Sequence, residues 1–282
     1  MKNAILLFAL FFSLSLQAQK DIEIGVFFGG SNYSGDIPSG DNQISTRNMR
    51  PAAGLFGRYY VNKYVAFRAG LSVGSIRGND AQSETLAKRN LSFRSRIFEA
   101  QALGELHLPL GNSLRSRSPF SPYLFGGVAL FHFNPQTTYQ GRWVDLQPLG
   151  TEGQGIDGNP SPYGRWQVSI PFGGGVRVGL GERWAVGLEV GLRRTFTDYL
   201  DDVSGNYPDQ TILRQQNGDI AADLSFRGDE LPGASSDAFP AAGSQRGSAE
   251  HDDWYGMGGL TISYLFSANN KKSNHKAYCP KF

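Results

Sequence analysis

Apolar and polar residues alternate along most of the chain. In residues 65–73, Val, Phe, Ala, Leu and Val stand at the odd positions, and Ala, Arg, Gly and Ser stand at the even ones. A period of two residues predicts a β-strand with two different faces. Eight such segments lie near residues 22–29, 52–61, 65–74, 98–108, 122–133, 166–178, 184–193 and 259–266. The fifth is apolar on both faces, so its orientation stays open, and Pro171 in the sixth cannot donate a ladder hydrogen bond, so we expect a bulge there.

The connections between these segments alternate between short and long. The second, fourth and sixth segments are followed by "NK", "GNSLRSRSPF" and "GERW", whereas longer stretches follow the first, third, fifth and seventh. Short turns at one end and long loops at the other are typical of bacterial outer-membrane barrels, whose closed sheet leaves no strand edge in lipid. The pattern therefore predicts an all-β fold, an eight-stranded antiparallel transmembrane up-and-down β-barrel surrounded by outer-membrane lipids, with both termini in the periplasm. The predicted extracellular loops span about residues 30–50, 75–90, 135–164 and 198–252.

The N-terminal residues predict export. Lys2, an apolar run over residues 4–16 and the small residue Ala18 form a pattern typical of a cleaved signal peptide, here residues 1–18. The apolar run has 13 residues, whereas a helix needs about 20 to cross a membrane. The barrel is then expected to occupy residues 19–266, and residues 267–282 are expected to form a periplasmic tail.

Four glutamates and four arginines lie on the faces of the predicted strands opposite the apolar ones. They are Glu23, Arg58, Arg68, Glu99, Glu105, Arg177, Glu189 and Arg193. The interior of an eight-stranded barrel is only wide enough to be filled by side chains, and an unpaired buried charge is costly. We therefore expect these groups to form ion pairs in a plugged polar lumen. The alternative is that some of them lie at the rims in water.

Charge and cysteine content narrow the choice of partner. The formal net charge of +2 gives no case for nucleic-acid binding. The sequence has one cysteine, Cys279, whereas a disulfide framework needs pairs. Because the periplasm is oxidising, Cys279 is a candidate for a disulfide to a periplasmic partner. An unpaired thiol and a link between two copies of the chain stay open as alternatives.

An acidic cluster lies at both ends of the longest predicted loop. Its members are Asp198, Asp201, Asp202, Asp252 and Asp253. If the seventh and eighth segments pair, these carboxylates converge at the neck of the loop. Oxygen-rich clusters of this kind can hold Ca²⁺, but we favour a solvated strand end whose acids pair with nearby arginines, and we expect no metal or cofactor.

His132 is the one histidine near a predicted outer rim. Small outer-membrane barrels can be enzymes that modify outer-leaflet lipids through histidine and serine. No serine stands beside His132 at a recognisable nucleophile spacing, so a polar residue at the membrane boundary is the better interpretation. We assign no catalytic residue.

Several long motifs resemble one family. They include "NLSFRS" (90–95), "FSPYLFGGVALFHFNPQ" (120–136), "IPFGGGVRVGL" (170–180), "GLRRTFTDYLDDVS" (191–204) and "DWYGMGGLTISYLF" (253–266). Together they resemble the PorG-like outer-membrane barrels of the Bacteroidetes, a family named after a domain of unknown function. The resemblance implies a non-enzymatic barrel that anchors a periplasmic ring of the type IX secretion and gliding machinery, built from a PorK-like lipoprotein and a PorN-like partner. A lipid-modifying enzyme and a purely structural barrel remain the alternatives.

Overall fold

The computed structural model of the chain describes residues 21–38, 48–108, 120–233 and 239–267. Nine strands lie within these ranges. They are β1 (Asp21–Ser34), β2 (Arg50–Tyr60), β3 (Val65–Asn79), β4 (Ser92–His107), β5 (Phe120–Tyr139), β6 (Arg142–Asp145), β7 (Trp166–Leu180), β8 (Trp184–Thr195) and β9 (Trp254–Ser267).

Eight of these strands close into a barrel. The sheet runs in the order β4-β3-β2-β1-β9-β8-β7-β5, and a further pairing of β4 with β5 joins its two ends. Every neighbouring pair is antiparallel. The four-residue strand β6 pairs only with the outer end of β5 and forms a hairpin beyond the wall. The predicted eight-stranded antiparallel up-and-down barrel is confirmed.

The outward faces of the wall strands form an apolar belt. Leu55, Phe67, Leu71 and Val190 are each about three-fifths exposed, and similar residues surround them on the neighbouring strands. Aromatic residues such as Trp184 border this belt. A belt of exposed apolar side chains with aromatic borders is typical of a barrel wall that faces lipid.

Register settles the orientation of β5 and corrects the expectation for Pro171. Tyr123 and Phe125 are buried in the barrel, whereas Leu124 is exposed, so the odd positions of β5 face inward. On β7, Ser169 and Phe172 lie opposite Ala129 and Gly126 of β5, so equal numbers of residues separate the two pairs. The prediction of a bulge at Pro171 is wrong, because no extra residue is inserted between these pairs. The ladder to β5 is instead interrupted at Pro171, while pairing with β8 continues through it.

The connection between β8 and β9 contains two short helices, α1 (Gln210–Asn217) and α2 (Asp219–Ser225). The Asp209 carboxylate accepts hydrogen bonds from the backbone N–H groups of Thr211 and Ile212 and so begins α1. Gly218, with φ of 92°, ends it. Short 3₁₀ turns cover Asp80–Gln82, Gln147–Leu149 and Gly228–Glu230. In the part of the chain that is described, no helix has both the length and the apolar character to cross a membrane.

Candidate functional site

Two buried glutamates in the barrel interior each contact two arginines. Glu23 lies 2.5 Å from Arg58 Nη1 and 2.8 Å from Arg177 Nη2. Glu105 lies 2.5 Å from Arg58 Nε. Its Oε1 is also 3.1 Å from Arg68 Nε, an ion-pair distance without hydrogen-bond geometry. Arg58 therefore bridges two carboxylates, and each charge meets its opposite at contact distance.

The remaining three predicted charges, Glu189, Arg193 and Glu99, also lie in the lumen. Arg68 also pairs with Glu189, whose Oε2 lies 2.5 Å from Arg68 Nη1. Arg193 and Glu99 form a separate pair, with Nε and Oε2 3.1 Å apart. Six charges thus alternate in sign along one connected chain, in the order Arg177, Glu23, Arg58, Glu105, Arg68 and Glu189. The structure brings all eight into the interior, with the charges balanced.

Five polar side chains that sequence analysis did not single out complete the hydrogen bonds of these glutamates. The Tyr123 hydroxyl donates to Glu189 Oε2 at 2.6 Å, and the Tyr255 hydroxyl donates to Glu99 Oε2 at 2.6 Å. The other three are Tyr60 and Ser263 at Glu23, and His107 at Glu105. All five stand at inward positions of the wall strands, with Tyr60 on β2, His107 on β4, Tyr123 on β5, and Tyr255 and Ser263 on β9. That shared alternation is the signal that could have identified them.

Aromatic rings fill the space between the ion pairs. The Arg68 guanidinium lies 4.9 Å from the ring centroid of Phe125 and 5.5 Å from that of Phe56. Glycines leave room for these rings, because a Cβ at Gly25 would stand 2.4 Å from Phe56 and one at Gly191 would stand 2.6 Å from Phe125. A void beside Arg68 offers about 10 Å³, room for about one water. The described lumen is a packed plug.

The inward faces change from charged to apolar toward the outer end of the barrel. A buried cluster there contains Phe27, Ile76, Phe93, Ile97, Phe131, Phe133 and Met257. It continues into the loops through Ile37, Leu200 and Val203. This apolar layer separates the lumen charges from the acidic cluster of the loops.

Two aspartates of the acidic cluster share the hydroxyl of Tyr33. The hydroxyl lies 2.6 Å from Asp201 Oδ2 and 3.0 Å from Asp253 Oδ1. Backbone N–H groups of Ile37 and Leu200 donate to the two carboxyls at 2.8 Å. Burial raises the pKa of Asp201 to about 7, and burial together with the Asp201 charge raises the pKa of Asp253 well above its usual range. A protonated Asp253 can donate to Tyr33, which in turn donates to an ionised Asp201.

The other three aspartates differ in their surroundings. Asp202 accepts hydrogen bonds from the Thr151 and Tyr163 hydroxyls at 2.6 and 2.7 Å, and burial raises its pKa to about 6. Asp198 is 8% exposed, and neither carboxyl oxygen has a well-formed hydrogen bond. Burial raises the pKa of Asp198 to about 8. Asp252 is exposed.

The expectation of a solvated strand end is therefore wrong for four of the five aspartates. They are buried because the loops fold over the barrel mouth. Among the described residues none of these four carboxylates forms the expected ion pair with an arginine; Arg246 instead donates to the backbone carbonyl of Asp202 at 2.7 Å. Within the described ranges, no group of three or more His, Cys, Asp and Glu side chains is arranged to hold a metal ion.

Two buried arginines tie the outer loops together. Arg89 pairs with Asp80 at 2.7 Å and donates to the backbone carbonyls of Asp36 and Arg246. Arg246 pairs with Glu152 at 2.8 Å. Four separate loops therefore meet in one hydrogen-bonded cap. The ion pairs and hydrogen bonds of the cap were not predicted, since they join residues far apart in the sequence.

The remaining predicted residues do not form a site. His132 faces outward beside Trp166, with ring centroids 5.1 Å apart in an edge-on arrangement. This contact fits a polar residue in the aromatic border. Cys279 lies outside the described residues, as does the predicted signal peptide over residues 1–18.

Sequence and structure comparisons identify a family and give weak structural likenesses. The family described as "Domain of unknown function (DUF6089)" matches residues 1–228. No curated protein matches the sequence. Similar solved structures are the attachment invasion locus protein Ail of Yersinia pestis (10% identity, TM-score 0.41, 88% of this chain and 99% of Ail), the N-terminal β-barrel domain of Pseudomonas aeruginosa OprF (11%, 0.35, 89% and 100%) and Neisserial surface protein A (8%, 0.39, 88% and 97%). At these values the fold rests on the strand pairing of the chain itself.

Proposed function

Because the chain belongs to the family "Domain of unknown function (DUF6089)" and folds as a closed barrel with an apolar outer belt, we propose that it is a non-enzymatic outer-membrane protein of the PorG-like kind. It anchors a periplasmic ring complex of the type IX secretion and gliding machinery. The observation that carries this proposal is the packed lumen. Buried ion pairs and aromatic rings fill it. A plug of this kind favours a function at the two ends of the barrel.

The inner end is the proposed attachment surface. Asp21 at the start of β1 lies opposite Tyr60 and Ser267, so the chain enters and leaves the barrel at the end that carries the short turns. Short turns face the periplasm in outer-membrane barrels. The residues after Ser267 would then extend toward periplasmic proteins, here a PorK-like lipoprotein and a PorN-like partner. Cys279 is proposed to form a disulfide with one of them.

The proposal is tested by deleting the gene and measuring the cargo that reaches the medium. We expect secreted cargo to fall and the ring proteins to co-purify with the barrel after cross-linking of intact outer membranes. Normal secretion in the deletion strain would contradict the proposed role. A barrel that co-purifies with no other protein would instead favour the purely structural alternative.

Two further measurements test the proposed link through Cys279 and the lipid-modifying alternative. Non-reducing gels of whole membranes compare the wild type with Cys279→Ser, and a larger species that persists in the variant rules out a link through Cys279. Lipid A structure in the deletion strain addresses the lipid-modifying alternative. Changed lipid A with unchanged secretion would favour an enzyme at the His132 rim.

A further inference from the structure

Arginines cluster on the outward face of the barrel directly beyond the apolar belt. Strand pairing places Val73 of β3 opposite Phe98 of β4, within the belt. Four residues further out, Arg77 lies directly opposite Arg94, and Arg96 occupies the adjacent outward position on β4. Neighbouring outward positions on paired strands are within reach of long side chains. Three guanidinium groups therefore share one patch of the wall at the edge of the belt.

A fourth arginine reaches the same patch from the next strands. Arg96 lies opposite Asn134 of β5, and the Asn134 side-chain oxygen accepts a hydrogen bond from Arg165 Nη1 at 3.1 Å. We name Arg77, Arg94, Arg96 and Arg165 the basic rim patch. Asp145 of β6 borders it, but Oδ1 of that carboxylate already accepts hydrogen bonds from the Asn134 and Gln136 amides at 3.0 and 2.5 Å. The patch and its bordering carboxylate together keep an excess of positive charge.

The patch is also held in shape. The Arg94 guanidinium stacks 3.2 Å from the ring centroid of Trp143, a half-exposed residue of the β5–β6 hairpin. The Arg94 and Arg96 guanidinium groups repel each other, so an anion bound between them stabilises the patch.

We propose that the basic rim patch binds the phosphate groups of the outer-leaflet glycolipid, lipid A. This inference rests on the proposed outer-membrane location. Guanidinium groups match the oxygens of a phosphate with paired, charge-assisted hydrogen bonds. The patch begins where the lipid-facing belt ends, which is the level at which headgroup phosphates lie. The same lipid whose acyl chains contact the belt thus presents its phosphate to the arginines.

The test measures lipid binding by the purified full chain in micelles of a neutral detergent. The probe is lipid A with both phosphates, and native mass spectrometry counts the bound lipid. The variant is the double exchange Arg94→Gln and Arg96→Gln. The matched control is Arg194→Gln, another outward-facing arginine at the outer end of β8, which lies between Ile170 and Trp254 rather than beside other arginines. Folding of every variant is checked by the shift in gel mobility on heating.

We expect the double variant to bind lipid A at least about tenfold more weakly than the wild type, because each lost charge-assisted hydrogen bond is worth a factor of this order. Arg194→Gln should bind as the wild type does, and dephosphorylated lipid A should bind the wild type as weakly as lipid A binds the double variant. Equal binding of the two lipids, or equal binding by the double variant, overturns the proposal. Displacement by equimolar inorganic phosphate overturns the assignment to lipid.

The failure of this inference differs from the failure of the proposed function. If the chain shows no preference for phosphorylated lipid but its deletion still abolishes secretion, the headgroup site is refuted and the secretion role is not. A chain that binds lipid A through the patch but whose deletion leaves secretion normal supports the headgroup site and contradicts the secretion role.

Discussion

The ion pair between Arg193 and Glu99, which shares no salt bridge with the other described lumen charges, gives the cleanest test of the plugged lumen. Glu99 accepts from Arg193 Nε and Nη2 at 3.1 and 3.2 Å and from the Tyr255 hydroxyl at 2.6 Å. Both side chains are almost fully buried. Glu99→Gln keeps the size of the side chain but leaves the Arg193 charge buried without its carboxylate. Breaking a buried pair in this way costs about 3 to 5 kcal/mol.

The free energy of unfolding is measured in lipid vesicles by urea titration, with tryptophan fluorescence as the signal. Glu84→Gln makes the same exchange at an exposed loop position and should change stability by less than about 0.5 kcal/mol. In the double variant Glu99→Leu with Arg193→Met, no charge of the pair remains. Since apolar replacement of a whole buried pair is often neutral, the double variant should be more stable than Glu99→Gln.

A solvent-exposed ion pair typically contributes no more than about 1 kcal/mol to stability. A loss smaller than this for Glu99→Gln would refute the claim that the pair is buried in a sealed lumen. A double variant that is less stable than Glu99→Gln would refute the claim that the cost comes from an unpaired charge rather than from lost packing.

The remaining predictions concern the outer cap. Burial raises the pKa of Asp198 to about 8, so its contribution to cap stability is complete below the unfolded pKa of about 4 and is lost as pH rises through 8. Limited trypsin cleavage at Arg214 in α1 should therefore be faster at pH 8.5 than at pH 6. The variant Asp198→Asn should reduce that difference. Cleavage rates of the wild type that do not depend on pH would contradict this prediction. Tyr33→Phe removes the hydroxyl between Asp201 and Asp253. The loss should lower the stability of the cap by about 1 to 3 kcal/mol and make trypsin cleavage at pH 6 faster. An unchanged cleavage rate would show that the hydroxyl does not stabilise the cap.

The wall strands could be predicted from sequence because a period of two survives in each of them. The strands extend further outward than that period suggested, since the polarity of the two faces inverts at the edge of the belt. On β4, Phe98 faces outward and Glu99 inward, but further out Arg96 faces outward and Ile97 inward. A single alternating pattern ends at this inversion although the strand continues. The inversion itself marks the boundary of the apolar belt.

The charged residues of the lumen could be selected from sequence, but their partners could not. Which arginine meets Glu23 depends on register and on the closure of the barrel, which brings Arg177 of β7 across the lumen to a residue of β1. The buried acidic cluster could not be predicted for a different reason. Its burial depends on loops whose side chains, such as Tyr163 and Thr151, are distant in the chain from Asp202.

The central claim is that the barrel is a sealed plug whose functional surfaces are its two ends. Ionic current through the full chain, reconstituted in a planar lipid bilayer, tests this claim most directly. We expect no stable current steps at neutral pH, because ion pairs and aromatic rings fill the lumen and the cap covers its outer mouth. Steady current steps that scale with voltage would show an open path through the barrel and would contradict it.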